Sequence, residues 1–257
     1  RSTLGARLSQ INMNAADVAG YNSMAMYGPD AAAFNARDHH KVDRNIDLST
    51  ALRYLPANTT QQYELAYAQK TRSPNLYERY SWSSTPMAAV MNNFAGDGNG
   101  YVGNVNLKPE VAHTISANAA LHAANETDWS VKFSPYYTYV ENYIDAERCG
   151  TSTCDGTSNL TATNKYVVLQ YVNQNAQLYG FDLSGQLRLA NLASWGKFDA
   201  TAQISYTRGE NLTTGDNLYN IMPLNAKLAV VQTLGKWSNT AELVAVRAKD
   251  FVSETRN

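Results

Sequence analysis

The sequence predicts an all-β protein: an antiparallel up-and-down transmembrane β-barrel, present as an incomplete portion of about nine strands. Three observations carry this. Apolar and polar residues alternate along many long segments. The connections between those segments are short and long in strict turn. No apolar run approaches the ~20 residues that a membrane helix requires. Alternation matters because successive strand side chains point to opposite faces, so each such segment has one apolar and one polar side.

The strands follow in order as 1–11, 42–55, 61–72, 109–124, 129–147, 165–190, 197–210, 222–234 and 237–252. The chain opens in "RSTLGARLSQ", within the first of them. In the second, Ile46, Leu48, Leu52 and Tyr54 share one parity, and Asp43, Asn45, Asp47, Ser49 and Arg53 the other. In the third, Tyr63, Leu65 and Tyr67 oppose Gln62, Glu64, Ala66, Lys70 and Arg72, and Pro74 follows where pairing can stop, since proline has no N–H for a ladder. Trp129, Val131, Phe133, Tyr137 and Tyr139 oppose Ser130, Lys132, Ser134 and Thr138. Phe181, Leu183 and Leu187 oppose Asp182, Ser184 and Gln186; Phe198, Ile204 and Tyr206 oppose Asp199, Gln203 and Ser205. Many of these segments exceed the five or six residues usual in soluble sheets and reach the length of a tilted membrane strand. No comparable helical period appears.

The connections decide the kind of β protein. "PANTT" (56–60), "NETD" (125–128), "LASWG" (192–196) and "GKWSN" (235–239) are short. They alternate with long polar stretches at 12–41, 73–109, 148–164 and 211–221. A meander then collects all tight turns at one end and all long loops at the other, as outer-membrane barrels do. A soluble sandwich also alternates, but its loops are short at both ends. Tyr54, Trp129, Trp195 and Trp237 stand beside the short turns, where an interfacial aromatic girdle belongs, and 17 Tyr against 6 Phe fits the same pattern.

Composition and motifs exclude several classes. A net charge of −1 gives no electrostatic reason to expect a nucleic-acid partner. The four histidines form no His-Glu-x-x-His pattern, no Gly-x-Ser-x-Gly elbow occurs, and "GDGNGYVG" (96–103) reads as tight turns, so no catalytic residue and no enzyme is expected. Soft ligands give the one chemical hint. Met24 and Met26 stand as Met-x-Met in the first long loop, Asp38, His39 and His40 close it, and Met87 and Met91 lie four apart in the second. Thioethers select Cu(I) and imidazole suits Cu(II); the alternative is loop methionines that fill gaps and a solvated His pair. Cys149 and Cys154 lie five apart in the third long loop. A disulfide is the default reading in an oxidising compartment, with paired metal thiolates or free thiols as the alternatives.

Three motifs carry a family resemblance. "LAYAQKTRSPNLYERYSW", "GYVGNVNLKPE" and "YVNQNAQLYGFDLSG" resemble, in order, segments of the TonB-dependent receptor barrel: Arg-x-Pro-x-Leu-Tyr-Glu, Gly-Asn-x-x-Leu-x-Pro-Glu and the Asn-to-Gly-hydrophobic-Asp strand. "NLYERYSWSS", "MAAVMNN" and "GDGNGYVGN" resemble the TonB-dependent copper receptors of the OprC/NosA type. The resemblance implies a barrel of about 22 strands around an N-terminal plug. It implies multi-pass residence in a Gram-negative outer membrane among its lipid and lipopolysaccharide, and coupling to the TonB complex through the plug. The cargo it implies is a metal, most closely copper ion or a copper chelate. Siderophore, iron or cobalamin receptors, or a passive channel or surface-binding barrel, are the alternatives. No cofactor is implied apart from copper as cargo. On this reading residues 1–257 are one partial barrel domain, without plug, TonB box or final strands. Tyr63, Leu65 and Tyr67 would face lipid, while Glu64, Lys70 and Arg72 face the lumen. The copper subfamily's metal site lies partly in the plug, so Met24, Met26, Met87, Met91, His39 and His40 stand only as candidates for the entrance.

Overall fold

The computed structural model describes residues 1–20, 27–57, 60–125, 127–150 and 157–257. Nine long strands form one antiparallel meander: β1 (Ser2–Met13), β2 (Lys41–Tyr54), β3 (Gln61–Arg72), β5 (Glu110–His122), β6 (Trp129–Arg148), β7 (Val168–Leu192), β8 (Gly196–Asn211), β9 (Asn225–Leu234) and β10 (Trp237–Val246). A three-residue strand, β4 (Gly100–Val102), joins the sheet from a loop by pairing parallel with β7. Four short helices lie in the long connections: α1 (Gly28–Asn35), α2 (Leu76–Tyr80), α3 (Pro86–Met91) and α4 (Thr157–Thr161). No helix among the described residues is long and apolar enough to cross a membrane. The sheet is open, with β1 and β10 at its two edges.

Register follows from the alternation. Leu52, Leu65 and Ala117 lie opposite one another across β2, β3 and β5, and so do Tyr54, Tyr63 and Ala119. The outward face therefore stays apolar from strand to strand. Leu4, Leu8, Leu52, Leu65, Ile115, Phe133, Leu187, Leu228 and Leu243 are all exposed on it. An apolar surface this broad is left uncovered when its solvent is hydrocarbon. Tyr54, Trp129, Trp195 and Trp237 are exposed at the short-turn end, and the Tyr54 and Tyr63 rings stack at 6.4 Å.

The other face is polar and pairs its own charges across neighbouring strands. Arg7 meets Asp47 at 2.6 Å, Arg53 meets Glu64 at 2.8 Å, Arg188 meets Asp199 at 3.0 Å, and Lys227 meets Glu242 at 2.7 Å. A slip of one residue would turn each of these into lipid, so the register is firmly specified. Two glycines serve close contacts in the β7–β8 hairpin. Gly196 closes its turn at φ +76°, a left-handed conformation that side chains resist. Gly180 lets the Tyr136 hydroxyl reach across β7 to Thr207 Oγ1 on β8 at 2.8 Å.

The nine spanning strands stand where the alternation placed them. The ends differ most at β7, β9 and β10, where the segments from 165, from 222 and up to 252 leave the ladder early. The helices and β4 were not legible. Helices of five to eight residues are too short to display a period. In β4 Gly100, Tyr101 and Val102 are all buried, so no polar face interrupts them. The buried apolar clusters lie at the loop end, around Tyr101, Leu107, Ile144, Val167, Leu169 and Tyr171, and around Ala89, Val102, Cys149 and Val168.

Candidate functional site at the loop end of the sheet

The long loop after β3 is held to the wall by two arginines. Pro74 ends the ladder, and Asn75 then caps α2 in a reciprocal box with Glu78: Asn75 Oδ1 accepts from the Glu78 N–H at 2.8 Å, and Glu78 Oε2 accepts from the Asn75 N–H at 2.7 Å. Arg72 donates to that same Glu78 at 2.9 Å and to Glu110, at the start of β5, at 2.6 Å. Glu110 Oε1 in turn accepts from the Ile144 N–H on β6 at 2.6 Å. The loop leaves and re-enters the wall through one guanidinium.

Arg79 is the second latch. It is 2% exposed. It donates to Asp43 Oδ1 on β2 at 2.8 Å and to the Leu107 carbonyl at 3.0 Å. Next to it the Tyr80 hydroxyl donates to the His39 carbonyl at 2.9 Å, and the Ser84 N–H and hydroxyl donate to Asp30 on α1. The first and second long loops are thus joined over the polar face.

Further along the loop, β4 lies against Val168–Gln170. Burial, and then a hydrogen bond to Asp97, hold the Tyr101 phenol well above its ordinary value, so it remains a donor. Ala89 is fully buried against Val102, Cys149 and Val168, which fixes α3 by its middle. Met87 and Met91, one turn apart on that helix, are 65% and 76% exposed. Beside them runs an open groove of about 490 Å³, lined by Tyr27, Leu76, Tyr77, Tyr80, Trp82 and Met91 among others. The ring of Phe94 packs, tilted by 44°, against that of Tyr77 at 4.2 Å.

The remaining candidates are not gathered with these thioethers. His39 is buried: its ring stacks on Phe34 at 4.1 Å, and Nε2 donates to the Phe34 carbonyl at 2.7 Å. His40 is exposed, and its backbone N–H donates to Asp38. Met24, Met26 and Cys154 lie outside the described residues. Cys149 is buried and is not a free thiol. Among the described residues no group of three or more His, Cys, Asp and Glu could hold a metal ion. The latches Arg72 and Arg79 and the aromatic groove were missed from sequence. The Asn-x-x-Glu capping box at 75–78 was the signal available for the first of them.

With this geometry in hand, the comparisons with known proteins are direct. The family of TonB dependent receptor-like β-barrels matches residues 1–256. The heme/hemopexin utilization protein C of Haemophilus influenzae (strain 86-028NP) is 26% identical over 189 residues, which is 70% of this chain and 24% of that protein. Among solved structures, the copper transporter OprC has a TM-score of 0.65 at 15% identity, over 85% of this chain and 29% of that one. The FrpB iron transporter from Neisseria meningitidis has a TM-score of 0.51 at 13% identity, over 77% of this chain and 26% of that one. At these identities the structural likeness shows the fold alone. The chain spans 24–29% of the length of these three proteins.

Proposed function

The chain belongs to the TonB-dependent receptor-like β-barrel family, and from that premise we propose that it is wall and mouth of an outer-membrane importer for a metal, with copper, as ion or chelate, the favoured cargo. Residence in the outer membrane follows from the family and from nine strands with an apolar outward face. The family moves and binds its ligands rather than transforming them. Energy would come from the TonB complex through a plug domain, with outer-membrane lipid and lipopolysaccharide around the wall.

The observation that supports copper is the presentation of Met87 and Met91. A helix pinned by Ala89 holds two thioethers out from the wall at the mouth. Thioethers are soft, weakly basic ligands that bind Cu(I) and exchange it readily. Met24 and Met26 belong to the same proposal, as the partner loop's contribution. His39 enters it only through rearrangement of its stack on Phe34, whereas the exposed His40 is free to take part. The groove supports a second reading. Its aromatic lining and volume suit the organic part of a metal chelate, such as a siderophore complex, better than a bare ion.

Changing Met24, Met26, Met87 and Met91 to Leu keeps size and apolarity nearly constant, so folding should survive. Copper uptake by cells at low external copper is expected to fall about tenfold, with receptor abundance in the outer membrane unchanged. Unchanged copper uptake, together with lost uptake of an iron chelate, would transfer the site to the second reading.

We also propose that Cys149 pairs with Cys154 in the mature protein. Intact-mass analysis of the unreduced loop peptide should find it lighter by two hydrogens than the reduced form. Two alkylatable thiols in freshly extracted protein would refute the pairing. The closed loop is short, so reduction should leave the barrel folded and loosen only the loop tip.

A further inference from the structure

We propose that a second, smaller cavity, between α1, the segment after α2, β4 and β7, binds a free α-amino acid. It has a volume of about 130 Å³ and is lined by Asp30, Arg37, Arg79, Ser81, Trp82 and Gln170, with Phe34 and Val102 among its apolar walls. A water needs about 10–15 Å³ by the same measure, so the space accommodates several heavy atoms.

The polar groups around it are unfinished. Asp30 uses one carboxylate oxygen, Oδ2, to accept from the Ser84 N–H and hydroxyl at 2.7 and 2.8 Å; Oδ1 has no partner among the described residues. Arg37 stands two residues beyond the end of α1, and its guanidinium makes no hydrogen bond or ion pair with any described residue. Arg79 is 2% exposed and uses its terminal nitrogens on Asp43, Leu107 and Met13, which leaves Nε–H unmatched. The buried hydroxyl of Ser81, which lines the cavity, is also unmatched. Buried donors without partners are costly, and a ligand that supplies acceptors relieves them.

Charge narrows the class. A carboxylate and a guanidinium face one space without pairing with each other. A simple anion would satisfy Arg37, Ser81 and Arg79 Nε but would meet Asp30. A simple amine would satisfy Asp30 but would meet Arg37. A molecule with a carboxylate and an ammonium on adjacent atoms satisfies both ends at once, and its side chain lies along Phe34, Val102 and Trp82.

The test is calorimetric titration of the purified full-length receptor with alanine, acetate, methylamine and inorganic phosphate, each separately. Alanine is expected to bind, with acetate and methylamine each weaker by about tenfold or more. Arg37→Gln, at an exposed position, is expected to weaken alanine binding about tenfold while the barrel keeps its heat-modifiable gel mobility. Asp30→Asn should do the same. If it loosens Ser84, the Arg37 variant still decides. No alanine binding at millimolar concentration, or alanine binding unaffected by Arg37→Gln, overturns the proposal. Phosphate binding that strengthens in Asp30→Asn overturns it in favour of a plain anion site.

Discussion

Replacing Gly180 with alanine is expected to remove most folded receptor from the outer membrane. An added Cβ would sit 2.0 Å from the Tyr206 carbonyl oxygen and 3.0 Å from the Tyr136 hydroxyl. The first is backbone of the neighbouring strand, so no side-chain rotation relieves it. Strand β8 has to move away from β7, in a region where ladder groups cannot turn to water instead. Overpacking alone costs about 1–3 kcal/mol, and each ladder bond lost in hydrocarbon adds several more. The same strand supplies its own control. A Cβ on Gly185 meets nothing closer than the Ser130 carbonyl at 3.2 Å, so Gly185→Ala should be mild. Gel mobility before and after heating, with urea unfolding in lipid vesicles, measures both. Equal behaviour of the two variants would show that the β7–β8 contact does not constrain position 180.

Arg79→Ala is expected to release the loop of residues 73–109 while leaving the spanning strands paired. The guanidinium and its partner Asp43 are both buried, with side chains 1% and 7% exposed. Removing the cation leaves a carboxylate in a closed space with its charge uncompensated, which costs about 3–5 kcal/mol. A second substitution separates charge from packing. Arg79→Met with Asp43→Leu removes both charges and keeps apolar volume, so it should recover much of the loss. Chymotrypsin cleavage within residues 73–109, after Tyr77, Tyr80, Trp82, Phe94 or Tyr101, reports the opening: fast in the single variant, slower in the double. Cleavage as slow in Arg79→Ala as in the parent would show that Arg72 holds the loop unaided.

The barrel wall was legible because lipid enforces a simple code. Tyr63, Leu65 and Tyr67 had to share a face, as did Glu64 and Lys70, and the hydrocarbon leaves no third arrangement. Nine strands and their two ends could be read from that alone. The mouth follows no such code. Ala89 looks like any alanine in "PMAAVMNN", yet its complete burial decides where Met87 and Met91 point. His39 beside His40 suggests ligands, but Phe34, five residues earlier, takes the His39 ring as a stacking partner and its carbonyl accepts a hydrogen bond from Nε2–H. Arg79 appears in sequence as one charge among many. Its burial depends on Asp43 and Leu107, which only the folded chain brings together. Local pattern specifies the wall; long-range contacts specify the mouth.

The pairing of β4 with β7 has a consequence for the order of assembly. Gly100–Val102 finds its partner in Val168–Gln170, with β5 and β6 intervening along the chain. The loop that carries α3 therefore cannot take its final form until two further strands have entered the sheet and a third has begun. Contacts between distant parts of a chain form late, because the intervening segment must be ordered first. The methionine-bearing helix is presented only by a wall already laid down on both sides of it. A chain stalled during insertion would display apolar strands but no finished mouth, so the loop end is completed only on a scaffold already in place.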